Sequence, residues 1–266
     1  MKTVLSRWLP PLLFGLFLLG VWYAARPISG LSRFALPLPH EVALALVHRA
    51  GDLLPATGRT LATAFAGLFA ALLAGLSAAL AMTWRVGIRR TFYPWVLVVQ
   101  MMPLVVLIPL IVLWMGGAWS VLCITFLIAF FPVTAGAVQG LLSVDTTALE
   151  FFTLHRASWW QKVTLLELPS ALPYILTGAQ ISASLSIVGA LTGEMFAGEV
   201  TGGRGGLGYW IILCRAEGDT AAMLAAGLLS CLSGFIFVGA VQIVRHRLLA
   251  RWHESFSTRQ EELRRL

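Results

Sequence analysis

Charged residues are scarce in this sequence of 266 residues. Asp, Glu, Lys and Arg make up 12% of it, whereas hydrophobic residues make up 58%, and the mean hydropathy is +0.84. An average soluble domain carries about a quarter charged residues, so this chain has about half of the usual charge. The composition therefore excludes an ordinary cytosolic enzyme and indicates a membrane protein.

Cysteine and lysine are also rare. The three cysteines, Cys123, Cys214 and Cys231, show no Cys-x-x-Cys spacing, so neither a disulfide framework nor a zinc site is indicated. The two lysines are Lys2 and Lys162, and the sequence contains no Gly-x4-Gly-Lys-Ser/Thr loop. The chain therefore cannot bind ATP through that loop, and it has no His-Glu-x-x-His or paired-carboxylate motif that would predict a metal or haem.

Positive charge is in excess but is not concentrated. The formal net charge is +7 and the pI is near 10.0, yet Lys and Arg lie between apolar runs and form no patch that predicts nucleic-acid binding. If both termini lie in the cytosol, 13 of the 19 Lys and Arg residues fall on that side. The positive-inside rule therefore predicts a multi-pass membrane protein with cytoplasmic N- and C-termini.

Six uncharged runs are long enough to cross a bilayer as helices, which takes about 20 residues. They are Trp8–Ala25, Leu61–Met82, Thr91–Met115, Ala118–Leu142, Leu168–Gly193 and Thr220–Val244. The first run follows Lys2 and Arg7 in the manner of a signal peptide, but no small-residue cleavage site follows it, so we expect a retained helix. The sequence thus predicts an all-α integral membrane protein with six transmembrane helices.

Three regions are expected along the chain. Residues 1–55 hold the first helix and an external segment, residues 56–246 hold the other five helices, and residues 247–266 form a cytoplasmic tail. The external segment is expected to extend over Arg26–Arg59. Within it, an amphipathic stretch, His40–Arg49, is expected to lie on the membrane surface.

Apolar side chains interrupt the longest inner loop, Ser143–Glu167. The pairs Phe151-Phe152 and Trp159-Trp160 flank a polar turn, and the chain re-enters the membrane at Leu-Glu-Leu-Pro169. Apolar side chains exposed on so short a hairpin are expected to be buried by another protein or by the membrane. Two explanations stand: the tryptophans lie in the aromatic belt of the membrane interface, or the hairpin docks on a cytoplasmic partner.

The same loop resembles the EAA loop of binding-protein-dependent ABC importer permeases. In that family the pattern is Glu-Ala-Ala, three residues, Gly, nine residues, an aliphatic residue, any residue and Leu-Pro. Here Glu150 is kept, nine residues separate Arg156 from Leu166, and Leu168-Pro169 follows. The residues that the resemblance implies in coupling to an ATPase are Glu150, Phe151, Phe152, Arg156, Ala157, Ser158, Trp159, Leu166, Leu168 and Pro169.

The loop departs from the family pattern at three positions. Phe151 and Phe152 replace the two alanines, and Arg156 replaces the glycine. A glycine between two short helices accommodates a positive φ, which costs other residues about 1 kcal/mol or more. We therefore expect either a differently built turn or strain that a partner contact compensates. The phenylalanines predict a wider groove in the partner, or pairing with a dedicated ATPase.

Other stretches extend the resemblance to the nitrate, sulfonate and taurine branch of the family. Leu36–Val42 resembles its external Leu-Pro-x-Pro-x-Glu-Val motif, and Gln100–Gly116 resembles its third-helix pattern of two prolines before Leu-Trp-Phe-Gly. Gly193–Met195 and Gly205–Tyr209 resemble its Ala-Glu-Met and Ser-Gly-Leu-Gly-Tyr motifs. The branch carries nitrate, sulfonates, taurine or bicarbonate, and related members carry pyrimidine precursors of thiamine. No residue of the sequence decides among these solutes.

The resemblance implies a type I ABC importer permease fold and a set of partners. Two copies, expected as a homodimer among membrane lipids, would form one pathway. Two separate ATPase subunits would bind ATP and Mg²⁺, and a periplasmic or lipid-anchored binding protein would deliver the solute. The chain itself would hold no cofactor and would not be an enzyme.

Polar residues within or at the ends of the apolar runs, together with one proline, are candidates for a substrate pathway. They are Gln100, Pro103, Gln180, Ser184 and Glu194. The small and polar residues within 177–186 could equally serve helix packing, which membrane bundles favour. For Glu194, a substrate or gating role and an interfacial ion pair with Arg204 or Arg215 are equally supported.

Two other classes of function fit parts of the sequence. An integral-membrane enzyme acting on lipids would use Glu194 and Glu199 as acid and base, and a passive channel would need no inner docking loop. The stretch Gly203–Gly208 matches the Gly-x-Gly-x-x-Gly fingerprint of dinucleotide sites. It follows a predicted membrane span instead of a strand, so we expect a flexible external loop there.

Overall fold

The computed structural model describes residues 2–32, 34–197 and 205–250, and the regular elements within these ranges are all helices. They are α1 (Lys2–Ser29), α2 (Pro39–His48), α3 (Ala50–Trp84), α4 (Val86–Met101), α5 (Leu104–Met115), α6 (Gly117–Leu142), α7 (Thr146–Leu154), α8 (Trp159–Lys162), α9 (Leu168–Ala197), α10 (Leu207–Glu217) and α11 (Thr220–Ala250). A π-helical turn, Val163–Glu167, joins α8 to α9. Five helices in the described ranges, or six spans with the bent pair α4–α5, are long and apolar enough to cross a membrane.

Pro103 breaks the third apolar run. α4 ends at Met101 and α5 begins at Leu104, and the two helices are bent by 96°. Proline has no N–H for a helix and disfavours helical backbone in the residue before it, and Met102 is extended, with ψ 130°. The stretch Thr91–Met115, expected as one helix, is therefore two.

The external segment ends earlier than expected and is packed. α3 begins at Ala50 instead of near Arg59, because the first turns of α3 bury Leu53 and Ala56 against α2 and α11. Val42 of α2 lies in the same cluster and is 1% exposed. The amphipathic helix predicted for the membrane surface thus forms, but α3 and α11 cover its apolar side.

Small residues bring α6 and α9 together at the centre of the bundle. A Cβ on Gly178 of α9 would lie 2.7 Å from the carbonyl oxygen of Pro132 in α6. Ser182 Oγ donates a hydrogen bond to the carbonyl oxygen of Ala129 at 2.7 Å. Close approach of backbones through small residues is a common way for membrane helices to associate. α3 packs against both helices and completes the core.

α1 touches the bundle near its C-terminal end. Trp22 Nε1 donates to the carbonyl oxygen of Pro37 at 3.1 Å, and the Tyr23 hydroxyl lies 3.2 Å from His40 Nδ1. The apolar surface of the span Leu9–Ser29 is otherwise open within the part of the chain that the structure describes. α1 is therefore an appendage to the core and not a member of it.

Candidate functional site

The α7–α8 hairpin, residues 145–162, is built by local hydrogen bonds. Asp145 Oδ1 accepts from a backbone N–H of the first turn of α7 at 3.1 Å. Ser158 and Gln161 form a capping box that begins α8: the Ser158 N–H donates to Gln161 Oε1 at 2.7 Å, and the Gln161 N–H donates to Ser158 Oγ at 3.3 Å. Lys162 Nζ donates to Thr153 Oγ1 at 3.0 Å and ties α8 to α7. The polar contacts that shape the hairpin are therefore local in the sequence.

Arg156 makes the tight turn between α7 and α8 with a positive φ of 51° and is the one described non-glycine residue with such a value. Its N–H donates to the carbonyl oxygen of Thr153, and the N–H of Ala157 donates to that of Phe152, both at 3.0 Å. The turn is thus the one that a glycine would make, and arginine carries its conformational cost. Of the two alternatives given above, the structure shows the strained turn.

Three large apolar side chains of the hairpin are open. Phe151 is 58% exposed, Leu154 81% and Trp160 66%. The Phe151 ring also contacts the His155 ring, with 4.2 Å between the two ring centroids. Glu150 is also exposed. No other part of the described chain covers this surface, which is a usual mark of an interaction site.

The hairpin continues without a break into the core helix α9. Trp159 at its base is half-buried, with its ring 6.0 Å from that of Trp84 at the end of α3. The π turn then leads directly into Leu168 and Pro169. A proline inside an α-helix clashes with the carbonyl four residues earlier, here Leu165, which lies in the widened turn. One helix therefore extends from Trp159 to Ala197.

All ten residues predicted to couple to an ATPase thus lie in the hairpin or in its connection to α9. Phe152, Ala157, Leu166 and the Leu168-Pro169 pair are half-buried and support the hairpin, whereas the others named above are more exposed, apart from Trp159. The structure brings the ten residues together. Their role in coupling stays a prediction.

α9 has two different sides. Gly178, Ser182 and Ser186 recur every four residues and are buried in the packing against the core. Thr177 and Ser184 are exposed, seven residues apart on one helix face. Packing through small residues therefore accounts for one side of the helix, whereas the other side exposes two hydroxyl-bearing residues among apolar neighbours. A hydrophilic path along that side stays a prediction.

The remaining pathway candidates of the membrane core lie on two elements. Gln180 lies one turn of α9 before Ser184. It is half-buried, and its Oε1 accepts a hydrogen bond from Arg245 Nη1 of α11, a partner that the sequence did not reveal. Gln100 and Pro103 are exposed at the bend between α4 and α5. The place of these residues in a pathway stays a prediction.

Glu194 lies near the other end of α9, where α3, α9 and α10 meet. It is 5% exposed, and its Oε2 accepts hydrogen bonds from Thr60 Oγ1 at 2.8 Å and from the Gly208 N–H at 3.0 Å. Thr60 Oγ1 also accepts from the Leu207 N–H at 2.9 Å. A carboxylate at a helix N-terminus offsets the unpaired N–H groups and the positive end of the helix dipole. We call this cluster, with Arg59 and residues 205–208, the Glu194 junction.

The positive group near Glu194 is Arg59. Its Nε donates to the carbonyl oxygen of Gly205 at 3.0 Å, and its guanidinium attracts the Glu194 carboxylate. Arg204 and Glu199 lie outside the described residues, and no ion pair in the described ranges joins Arg215 to Glu194. The expected pairing with Arg215 is therefore corrected: that residue lies two turns beyond the end of α10 that Glu194 caps.

A groove of about 970 Å³ opens next to the start of the hairpin, between α4 and the last turns of α6. Arg89, Arg90 and Tyr93 line it from α4, and Gln139 and Ser143 line it from α6. At the opposite end of the bundle, Arg49 is instead paired with acidic groups, Glu217 at 3.0 Å and Asp219 at 3.2 Å. The hairpin end therefore carries the larger unpaired positive charge.

Comparison with known proteins places the chain in one family. The family described as "Binding-protein-dependent transport system inner membrane component" matches residues 52–250. The chain is 31% identical to the formylaminopyrimidine transport permease protein ThiX of Halalkalibacterium halodurans, over 91% of this chain and 95% of ThiX. It is 31% identical to the riboflavin transport system permease protein RibX of Chloroflexus aurantiacus, over 90% and 88%. It is 28% identical to the taurine transport system permease protein TauC of Escherichia coli, over 89% and 86%.

A solved structure shares the fold. An inward-facing form of the MetNI methionine ABC transporter superposes with a TM-score of 0.60 at 21% identity, and covers 77% of this chain and 98% of its own. This likeness confirms the all-α permease fold, and a lipid-modifying enzyme finds no support among the relatives. The chain belongs to the binding-protein-dependent transport system inner membrane component family: it is an ABC transporter permease, a membrane subunit without a catalytic role of its own.

Proposed function

We propose that two copies of this chain enclose the translocation pathway of an ATP-driven importer for a small solute, with one ATPase subunit bound to each α7–α8 hairpin. The family implies ATPase and solute-binding-protein partners. The observation that carries the proposal is the unbroken helix from Trp159 to Ala197, which joins the open hairpin to the polar side of α9. A movement imposed on the hairpin would therefore be passed to the pathway along one continuous helix.

The hairpin is suited to bind a partner that supplies ATP hydrolysis. Its backbone is already held by Asp145 and Ser158, while Phe151, Leu154 and Trp160 remain open. A preformed surface with aromatic anchors loses little conformational entropy on binding. ATP and Mg²⁺ would be held by the ATPase partner, because this sequence has no P-loop.

Charge supports an orientation with the hairpin in the cytosol. Arg89 and Arg90 lie in the groove next to the hairpin, and Arg156 and Lys162 lie on the hairpin itself. The positive-inside rule assigns such residues to the cytoplasmic face of a bacterial inner membrane. α11 starts at the opposite end of the bundle and is long enough to cross it, so its C-terminal end is expected on the same face, and six spans would put the N-terminus there too.

The open side of α9 supports a second copy of the chain. Thr177 and Ser184 place hydroxyl groups on a helix that is otherwise at the centre of the bundle. The Thr177 hydroxyl donates to the carbonyl oxygen of Pro173 at 2.7 Å, so Ser184 carries this argument: an exposed hydroxyl on a central membrane helix suits a water-filled pathway better than contact with lipid chains. Two such sides facing each other, with Gln100 and Pro103 of the α4–α5 bend nearby, would form the pathway. The apolar surface of α1 would face membrane lipids or the second copy.

We propose a small nitrogen heterocycle as the first candidate for the solute. ThiX and RibX, both at 31% identity, are named for formylaminopyrimidine and riboflavin. The exposed polar groups of α9, Thr177 and Ser184, are uncharged hydroxyls, which suit a neutral polar solute. The second candidate is the sulfonate, taurine, nitrate and bicarbonate group, supported by TauC at 28% identity and by the motifs noted above.

Co-purification followed by reconstitution tests the proposal. The tagged chain is expressed with its untagged genomic neighbours, purified, and placed in liposomes with the external binding protein. ATP turnover is then measured with formylaminopyrimidine, riboflavin, taurine, an alkanesulfonate, nitrate and bicarbonate in turn. We expect an ATPase in equal molar amount with this chain, and stimulated turnover with a heterocycle.

The outcomes separate the parts of the proposal. If no ATPase co-purifies with the chain, or if no solute-loaded binding protein stimulates ATP turnover, the importer assignment fails. If only taurine or another anion stimulates turnover, the importer assignment stands and the heterocycle is wrong.

A further inference from the structure

α3 runs antiparallel to the helix that extends from Trp159 to Ala197 and includes α9, and the two are joined near both ends. At one end Thr60 Oγ1 donates to Glu194 Oε2 at 2.8 Å. At the other end the rings of Trp84 and Trp159 lie 6.0 Å apart. The stretch of α3 between these contacts is about 36 Å long, at 1.5 Å per residue. The two helices therefore form a frame that extends from the base of the hairpin to the Glu194 junction.

The junction holds the start of α10 at three consecutive points. Arg59 of α3 binds the Gly205 carbonyl, Thr60 of α3 accepts from the Leu207 N–H, and Glu194 of α9 accepts from the Gly208 N–H. The fit is close, since a Cβ on Gly208 would lie 2.2 Å from the carbonyl oxygen of Leu191. α10 thus cannot move away from the bundle without breaking bonds to both helices of the frame.

The other end of α10 reaches the exposed surface opposite the hairpin. There Arg49 binds Glu217 and Asp219, and a cleft of about 440 Å³ opens between α2 and the turn from α10 to α11. Phe34 and Leu44 at this cleft are exposed. If the hairpin faces the cytosol, this is the surface that an external binding protein meets. α10 therefore connects that surface to the buried junction.

We propose that the Thr60–Glu194 pair transmits docking of the external binding protein, through α10 and the α3–α9 frame, to the ATPase at the hairpin. The inference rests on the proposed function and assigns to Glu194 a positioning role. The Thr60 hydroxyl is both donor and acceptor, so one atom links α3, α9 and α10. Removing that hydroxyl leaves a buried carboxylate and a buried N–H each short of one partner, which weakens the hold on α10.

The test replaces Thr60 in the complete complex, reconstituted in liposomes with its ATPase and binding protein. Thr60→Val keeps the shape of the side chain and removes the hydroxyl, whereas Thr60→Ser keeps the hydroxyl and serves as the matched control. The measurement is the ratio of ATP turnover with solute-loaded binding protein to turnover without it. For Thr60→Val we expect basal turnover to be kept and the ratio to fall about 5-fold or more, the scale of a typical coupling between two sites. Thr60→Ser should restore it.

A second variant distinguishes a loss of coupling from a general defect in folding. Glu194→Gln keeps the size of the side chain and removes its charge, and it should lower the same ratio in complexes that assemble normally. Because both residues act through one contact, Thr60→Val combined with Glu194→Gln should lower the ratio by less than the product of the single effects. A merely structural role would instead lower basal and stimulated turnover in proportion.

The result separates this inference from the proposed function. An unchanged ratio in Thr60→Val, or multiplicative effects in the double variant, overturns the inference. Absence of stimulation in the unaltered complex overturns the proposed function itself, whatever the variants do.

Discussion

The two ends of the helix that extends from Trp159 to Ala197 are stabilised in opposite ways. At the α7–α8 hairpin, polar bonds are local and apolar side chains are open, with Phe151 and Trp160 facing away from the bundle. At the Glu194 junction, the polar groups are buried and are bound by residues far away in the sequence, such as Thr60. The hairpin is held by local hydrogen bonds and, in the function we propose, is covered by a partner, whereas the junction is completed within the chain.

This difference predicts where substitutions affect stability and where they affect association. A change at the junction removes contacts that the isolated chain already has, so it should alter the melting temperature of the chain itself. A change on the open surface of the hairpin removes contacts that form only in a complex, so it should alter affinity and leave the chain stable.

Gly208→Ala should have the largest effect on stability, because it adds a Cβ within the closely packed Glu194 junction. The new Cβ would lie 2.2 Å from the backbone carbonyl oxygen of Leu191, which cannot turn aside as a side chain could. We expect a loss of about 3 kcal/mol, seen as a lower melting temperature of the purified chain in detergent. Gly227→Ala in α11, where a Cβ would meet nothing within 4 Å, is the control. Equal melting temperatures for the two variants would contradict the described packing.

Replacing Phe151 and Phe152 together by Ala should act on association. Burial of one phenylalanine contributes about 1.5–3 kcal/mol, so affinity for the ATPase should fall about 10-fold or more, with a smaller change in the melting temperature of the chain. The measurement is the equilibrium binding of the ATPase subunit to the permease in nanodiscs. Phe235→Ala, an exposed ring on α11, is the control. Unchanged binding and transport would refute a docking role for the pair.

Ser158→Ala should loosen the hairpin without touching its open surface. It removes the capping box with Gln161, at a cost of about 1 kcal/mol. Hydrogen exchange should speed up at the amides of α8 and stay unchanged at the Glu194 junction, which would sharpen the contrast between the two ends. Ser158→Thr retains a capping hydroxyl and should behave like the unaltered chain. Equal exchange in the Ala and Thr variants would show that the cap is unimportant.

Arg156→Gly should have the smallest effect and the opposite sign. Glycine adopts the φ of 51° without the steric cost of about 1 kcal/mol or more that arginine bears. Because glycine also loses more conformational freedom on folding, we expect the hairpin to gain less than about 1 kcal/mol in all. Slower exchange of the α7–α8 amides would show the gain. Arg156→Ala removes the same charge but keeps the strained backbone, so it isolates the effect of φ; if both variants exchange alike, strain in the turn plays no part.

Features that depend on local chemistry were predicted from the sequence. The apolar runs marked the long helices because their length is set by the bilayer. The spacing of Glu150, Arg156 and Leu166 marked the hairpin through its resemblance to the family. The break at Pro103 could not be predicted from proline alone, because Pro94 and Pro109 of the same uncharged stretch lie inside α4 and α5.

Contacts between distant helices were not predictable in this way. Thr60 and Glu194 are 134 residues apart, and Gln180 and Arg245 are 65 apart. In runs that are apolar on all sides, the pattern does not indicate how each helix is rotated about its axis. For that reason the two sides of α9, with Ser182 buried and Ser184 open, were resolved only by the packing against α6.

The π turn at Val163–Glu167 has a consequence for homologues of different length. Such a turn accommodates one residue more than an α-turn, so a helical wheel drawn straight through it misplaces the residues beyond it by about 100°. A natural deletion of one residue there would restore an ordinary helix and leave the hairpin aimed as before. The same deletion within α9, beyond the π turn, would rotate the hairpin about the helix axis. Length variation in this family should therefore concentrate at the π turn.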